Sequence, residues 1–214
     1  MNYSSRKKNK TVKYIILHYT GMKNLQSAYG RLISPLSDVS AHYLVSKEGK
    51  IYNLLCPRFK AWHAGKSQWR KDKNLNNSSI GIELENKGHD HGYTKFTSKQ
   101  YGSLKELINF LKINYRLNDE CILFHSDISP NRKKDPGEKF NLDKIGIYRF
   151  NKLKINNKNL PLSKMLSLYG FSNEYIKFHH DDCIMAVKRS LKYKKINKNI
   201  DKDFKNNFYN LLIQ

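Results

Sequence analysis

Cysteine is scarce in this chain of 214 residues: Cys56, Cys121 and Cys183 form an odd set at wide, unpatterned spacing. That excludes a disulfide framework and a CxxC metal knuckle, and leaves three ordinary thiols. Long apolar runs are also missing. No segment reaches the roughly 20 apolar residues that a membrane-spanning helix needs. The first apolar run, Tyr14 to Leu17, is too short for the core of a signal peptide, so no leader is visible. Acidic residues are few, 18 Asp and Glu against 40 Lys and Arg, for a formal charge of +22. Such a field attracts polyanions: nucleic acid, acidic lipid or anionic wall polymer. The excess is mostly Lys, however, spread along the whole chain among abundant Asn and Ile, a mix that an A- and T-rich genome encodes. A solvated basic surface accounts for it, and with no recognition motif in the chain no nucleic-acid partner is expected.

What is present describes a globular chain: 39% apolar and 12% aromatic residues, the aliphatics in short clusters. The length suits one medium domain, or a domain of roughly 150 residues with a small appendage. Tyr14-Ile-Ile-Leu-His18 is a β-favouring run that ends at a histidine, before a Thr20-Gly21 turn. Leu25 to Ile33 has helical spacing and stops before Pro35, while Ala41 to Ser46 and Ile51 to Cys56 flank Lys47-Glu48-Gly49-Lys50 as a hairpin. In Ser79 to Glu85, Ile80, Ile82 and Leu84 take one face and Gly81, Glu83 and Glu85 the other, which puts Glu83 opposite the core side. Thr97 and Gln100 make a capping-box pattern ahead of Leu104, Leu107, Ile108 and Leu111, predicting a helix to about Tyr115. Cys121 to Phe124 is a second apolar run ending at a histidine, His125, followed by a Pro- and Gly-containing loop to Gly137.

This alternation predicts an α/β fold over residues 1–150, a mixed central β-sheet flanked by helices. Asn151 to Asn159 reads as a Lys- and Asn-rich linker. Beyond it, Leu160 to Leu168, Cys183 to Leu191 and Phe204 to Ile213 predict a small C-terminal module of three helices over 160–214.

Two apolar strands each ending in His, with Asp135 in the loop after the second, can bring two imidazoles and a carboxylate around one ion. Three protein ligands leave a fourth tetrahedral position, the arrangement of a catalytic rather than a structural zinc site. Glu83 on a neighbouring strand is then a candidate general base. Spacing alone leaves other triads open, because there is no HExxH and the chain has eight His among many acids.

Five stretches narrow the choice. Ile15-Ile-Leu-His18-Tyr-Thr-Gly21, Ser40-Ala-His42-Tyr-Leu-Val45, Ala61-Trp-His63-Ala-Gly65, Ser79-Ile-Gly-Ile-Glu83-Leu-Glu-Asn86 and His125-Ser-Asp-Ile-Ser-Pro-Asn-Arg-Lys133-Lys-Asp135-Pro-Gly137 occur in one order over roughly residues 12 to 145. Together they resemble the successive motifs of the type 2 N-acetylmuramoyl-L-alanine amidases, and most closely the bacterial amidases of 1,6-anhydro-muropeptides. The resemblance implies that family's fold, shared with peptidoglycan-recognition proteins. It also implies one Zn2+ per chain held by His18, His125 and Asp135, with Glu83 and Lys133 as the catalytic pair. Trp62, His63, Asn86 and Arg132 are the implied substrate-binding residues. Muropeptides would be the partners, cleaved between N-acetylmuramic acid and L-alanine in the recycling or turnover of a bacterial wall. Cytoplasmic recycling fits the missing leader and periplasmic wall work fits the tail, while nothing in the sequence fixes an oligomeric state.

The remaining histidines read differently. His42, within an apolar strand, is expected to be a satisfied core residue. His89-Asp-His91 suits a solvated turn, and adjacent side chains in His179-His180-Asp181-Asp182 diverge too far to share an ion. The tail, with Leu168-Tyr-Gly-Phe171, is similar to the peptidoglycan-binding module of the family's lipoprotein branch, although helix caps and core positions explain the same residues. That branch carries a lipidated Cys, whereas the first Cys here is Cys56, and the segment after Asp135 keeps only Phe140 of the family's aromatics. A wall-recognition protein without catalysis would have lost ligands or the glutamate, and all are present.

Overall fold

The computed structural model describes residues 2–8, 11–150 and 160–213. The expected linker at 151–159 lies outside the described residues. In chain order the strands are β1 (Tyr3–Ser5), β2 (Tyr14–Tyr19), β3 (Tyr43–Val45), β4 (Ile51–Asn53), β5 (Phe59–Ala61), β6 (Gln68–Trp69), β7 (Asp72–Lys73), β8 (Ser79–Leu84) and β9 (Ile122–Phe124). The α-helices are α1 (Leu25–Ile33), α2 (Ser98–Tyr115), α3 (His125–Ile128), α4 (Leu162–Tyr169), α5 (Asn173–Phe178), α6 (His180–Ser190) and α7 (Lys202–Ile213).

Five strands form the central sheet in the order β4-β3-β8-β2-β9. β3, β8, β2 and β9 run parallel, and β4 closes one edge as the antiparallel arm of the expected hairpin. Parallel strands are covered on both faces, and the alternation of side chains divides β2 accordingly. Ile15 and Leu17 join Ile80, Ile82, Leu84, Ile122 and Phe124 in a core closed by Leu104, Leu107, Ile108 and Leu111 of α2. The N-terminus of that helix carries the full capping box, Gln100 N–H donating to Thr97 Oγ1 and Thr97 N–H to Gln100 Oε1. Ile16 and Leu123 face the other way, into a second core with Trp69, Leu75 and the apolar sides of α4, α6 and α7. The C-terminal helices therefore share a core with the sheet. The three expected helices are present, and α5 adds a short fourth that begins at the Ser172 cap. Its six residues are too few to show a period in the sequence.

A buried ion pair ties the two halves of this layer together. Arg149 Nη2 lies 2.7 Å from Asp127 Oδ2, with the two side chains 2% and 0% exposed. The same carboxylate accepts the Tyr169 hydroxyl of α4 at 2.7 Å and the Phe124 N–H at 2.7 Å. The guanidinium also lies over the rings of Phe124, Phe150 and Tyr169. Asp127 is two residues from His125, so the end of β9 is pinned from the tail side. Replacing Arg149 by Leu strands a buried carboxylate, and urea unfolding is expected to show a loss of about 3–5 kcal/mol. A loss under about 1 kcal/mol would mean that the pair carries no such weight.

Candidate metal centre

β2 and β9 are adjacent parallel strands, and each delivers a histidine at its carboxyl end, where α/β sheets commonly place their sites. His18 is the fifth residue of β2, and His125 follows directly on Phe124 as the first residue of α3. Asp135 is brought back against them by the loop after α3, where its carbonyl accepts the Ser126 N–H at 3.0 Å. The three side-chain atoms converge: His18 Nδ1 is 2.9 Å from His125 Nδ1, and each is 3.0 Å from Asp135 Oδ2. All three residues are buried, at 1%, 3% and 6% exposure. Among the described residues this is the one His/Cys/Asp/Glu group whose ligand atoms could hold a metal ion.

Protonation supports that fit. His125 Nε2 faces the Ala64 carbonyl at 3.3 Å, and a carbonyl only accepts, so the ring proton sits on Nε2 and Nδ1 keeps its lone pair. A bare imidazole nitrogen and a carboxylate oxygen thus face one another in a dry site, which a cation stabilises. Burial and the facing His125 push His18 down to about 4.

Glu83 stands opposite His18 in the β2–β8 register, on the same face of the sheet. Its Oε2 is sealed from solvent and has no hydrogen-bond partner. Burial, reinforced by Asp135 and opposed by Lys133, raises its carboxyl well above the usual value. Glu83, Lys133 and Arg132 line, with the three converging residues, a cleft of about 740 Å³ that Lys23 and Arg31 also line. The sequence placed Glu83 away from the core; the structure puts it on the second face of a two-sided sheet, lining this cleft.

The other expected site residues separate. His63 is in the cleft wall but is 8% exposed, and its Nδ1 lies 3.0 Å from His18 Nε2. Arg132 donates to the Lys66 carbonyl at 2.6 Å and so ties the loop before Asp135 to the His63 loop. Trp62 and Asn86 are not brought to the cleft lining. Trp62 Nε1–H donates to Ser4 Oγ, where β1 pairs with β5. Asn86 is 1% exposed, donating to the Thr94 carbonyl and accepting the Gly88 N–H. Its amide organises a loop, a role that a strand-end Asn does not advertise in sequence.

His42 is the satisfied core histidine expected of it: Nδ1 accepts the Gly81 N–H at 3.0 Å and Nε2 meets the Phe59 carbonyl at 3.1 Å. His89 is less solvated than expected. It bridges the Tyr19 hydroxyl and Glu138 and stacks on Tyr93, while His91 is exposed. His179 and His180 pair separately, with Asp182 and Asp181, on the surface of the tail. Sequence reasoning missed Arg149 and Asp127, whose partners lie in other elements.

The profile of the family described as N-acetylmuramoyl-L-alanine amidase matches residues 8–138. The N-acetylmuramoyl-L-alanine amidase AmiD of Escherichia coli K12 is 34% identical over 143 residues, covering 60% of this chain and 50% of AmiD. The 1,6-anhydro-N-acetylmuramyl-L-alanine amidase AmpD of Haemophilus influenzae is 39% identical over 107 residues, covering 50% of this chain and 56% of AmpD. The chain thus matches about half the length of these curated relatives. A solved E. coli AmiD complex with anhydro-N-acetylmuramic acid-L-Ala-D-gamma-Glu-L-Lys superposes with a TM-score of 0.78 at 25% identity, covering 99% of this chain and 97% of that one. The fold is shared as well with AmpDh3 of Pseudomonas aeruginosa, at a TM-score of 0.78 and 24% identity over 98% of this chain and 94% of that one. No described helix is long and apolar enough to cross a membrane.

Equilibrium dialysis against a divalent metal is expected to load one ion per chain. His125→Ala should weaken binding by more than the roughly 10- to 100-fold that loss of an outer partner costs. Unchanged affinity in that variant would remove His125 from the ligand set.

Proposed function

Because the chain belongs to the N-acetylmuramoyl-L-alanine amidase family, whose profile matches more than half of it, we propose that it hydrolyses the amide between N-acetylmuramic acid and L-alanine in peptidoglycan fragments. The observation that carries this reading is a carboxylate with an unpartnered oxygen, Glu83, lining the same cleft as a buried two-imidazole, one-carboxylate cluster. Two nitrogens and one oxygen are the donor set of a catalytic zinc site with a free fourth position. His18, His125 and Asp135 would hold the ion, which when bound supplies Lewis acidity toward the scissile carbonyl and toward water.

The chain's own groups do the rest. Glu83 takes a proton from the attacking water as its oxygen bonds to the lactyl amide carbon. A carboxyl raised by burial is a stronger base than an ordinary glutamate and retains that proton until the carbon–nitrogen bond breaks. It then returns the proton to the L-alanine nitrogen, which leaves as an amine. Lys133 also lines the cleft, and its ammonium would stabilise the carbonyl oxygen as that oxygen gathers charge. The cations around the cleft suit the carboxylates of a stem peptide. Its substrates include the 1,6-anhydro sugar, the form in the E. coli AmiD complex, and its role is in wall recycling or turnover. Residues 1–150 carry the catalysis and 160–214 form the helical appendage.

Mass spectrometry of anhydro-N-acetylmuramic acid-L-Ala-D-γ-Glu-L-Lys incubated with the zinc-loaded protein is expected to show the free peptide, and a chelator to stop its release. Glu83→Ala should lower turnover by at least about 10²-fold with zinc content unchanged. Activity surviving that substitution would overturn the role given to Glu83. Lys133→Met is expected to cost about 10²- to 10³-fold in kcat with little change in KM; a change confined to KM would make Lys133 a binding group instead.

A further inference from the structure

His63 neither meets Asp135 nor belongs to the converging triad, yet it is held as tightly as a ligand. Its Nδ1 is 3.0 Å from His18 Nε2, and its Nε2 is 3.2 Å from Ser79 Oγ. Ser79 Oγ in turn lies 2.6 Å from the Leu75 carbonyl. Every member of this chain is buried, Ser79 and Leu75 completely. Hydrogen-bond direction runs one way from its end. A carbonyl has no proton, so the hydrogen in the 2.6 Å contact belongs to the Ser79 hydroxyl. The hydroxyl oxygen therefore accepts from His63, which puts the His63 proton on Nε2 and leaves Nδ1 bare. That bare nitrogen accepts from His18, whose proton is then on Nε2. His18 Nδ1, the atom facing His125 and Asp135, is left with a free lone pair.

Gly81 shows how closely the ring is accommodated. A Cβ at that position would lie 2.4 Å from His63 Cγ and 2.6 Å from its Nδ1. β8 reaches this point with no side chain because the imidazole occupies the space one would fill. His63 N–H and Ala64 N–H both donate to Asn76 Oδ1, at 3.1 and 2.7 Å, which fixes the loop that carries the ring.

We propose that His63 is a positioning residue for the metal centre: with Ser79 it forms a buried relay from the Leu75 carbonyl that fixes the tautomer and ring orientation of His18. The relay makes His18 a ready-made Nδ1 ligand, as the Ala64 carbonyl does for His125. A cation arriving at the cluster then displaces no proton from either ring. His63 was expected from sequence to touch substrate; it lines the cleft, and the relay gives it a structural partner on each ring nitrogen as well.

This inference rests on the metal-site reading above, and its test keeps the two apart. Zinc affinity is measured by competition with a chromophoric chelator for the wild type, His63→Leu and His63→Asn. Leu removes the acceptor, whereas the Asn Oδ1 can stand where Nδ1 stood. His63→Leu is expected to bind zinc about 10- to 100-fold more weakly, with His63→Asn restored to within about threefold of wild type. The 15N shifts of His18 in the metal-free protein should report one tautomer, protonated at Nε2, in the wild type and His63→Asn, and a mixture in His63→Leu. Melting of the metal-free variants controls for folding, and Gly81→Ala should reproduce the zinc defect by displacing the ring without removing a polar group. Wild-type affinity in His63→Leu, or equal losses in the Leu and Asn variants, would overturn the relay. A wild type that takes up no zinc would overturn the metal-site reading itself.

Discussion

The site depends on one electrostatic constraint: three electron-rich atoms, two imidazole nitrogens and a carboxylate oxygen, held within about 3 Å of one another away from water. Such a cluster is unfavourable without a cation, because buried lone pairs repel and the carboxylate has lost its hydration. Backbone carbonyls enforce this arrangement before any ion arrives. Ala64 fixes the His125 proton directly, and Leu75 fixes that of His18 through Ser79 and His63. Both imidazoles thus present the nitrogen that faces the cluster. Glu83, set across from His18 by the strand register, has no such partner at its Oε2.

The rest of the fold serves to hold that cluster. The sheet supplies two parallel strand ends at fixed separation, and α2 packs one face so that Ile15 and Leu17 lock β2 in register. A one-residue slip would turn His18 into that core and Leu17 into the cleft. On the other face, the C-terminal helices contribute more than cover. Tyr169 and Arg149 converge on Asp127, and the Asp127 carboxylate caps the short helix that begins with His125. The appendage and the His18–His125–Asp135 cluster are therefore joined through one buried carboxylate. Loss of packing in the tail would be felt at His125, even though no described tail residue lines the cleft.

Much of this was legible in the chain because it is local. The run Tyr14 to Leu17, the hairpin around Lys47 to Lys50, the Thr97/Gln100 box and the alternation around Glu83 each depend on neighbours within a few residues, and the structure keeps all four. α5 escaped because six residues do not establish a period. The pairing of β1 with β5 escaped because three-residue strands leave no pattern. Trp62 and Asn86 were expected at the substrate through the motifs that contain them. Their polar groups are engaged by Ser4, Thr94 and Gly88, contacts that no motif encodes.

By itself, the sequence determined the order of elements and the α/β class, and its five collinear motifs pointed to His18, His125, Asp135 and Glu83, which the fold brings to one cleft. Those features depend on residue type and short spacing, which a linear chain records. Tertiary structure alone decided which ring nitrogen of each histidine faces the cluster, that His63 stands behind His18, and that Asp127 joins the tail to β9. Each of these joins residues tens of positions apart, 45 between His18 and His63 and 42 between Asp127 and Tyr169. Proton position follows from which carbonyl or hydroxyl lies across a gap of about 3 Å. That is a property of the folded interior, and the order of residues does not contain it.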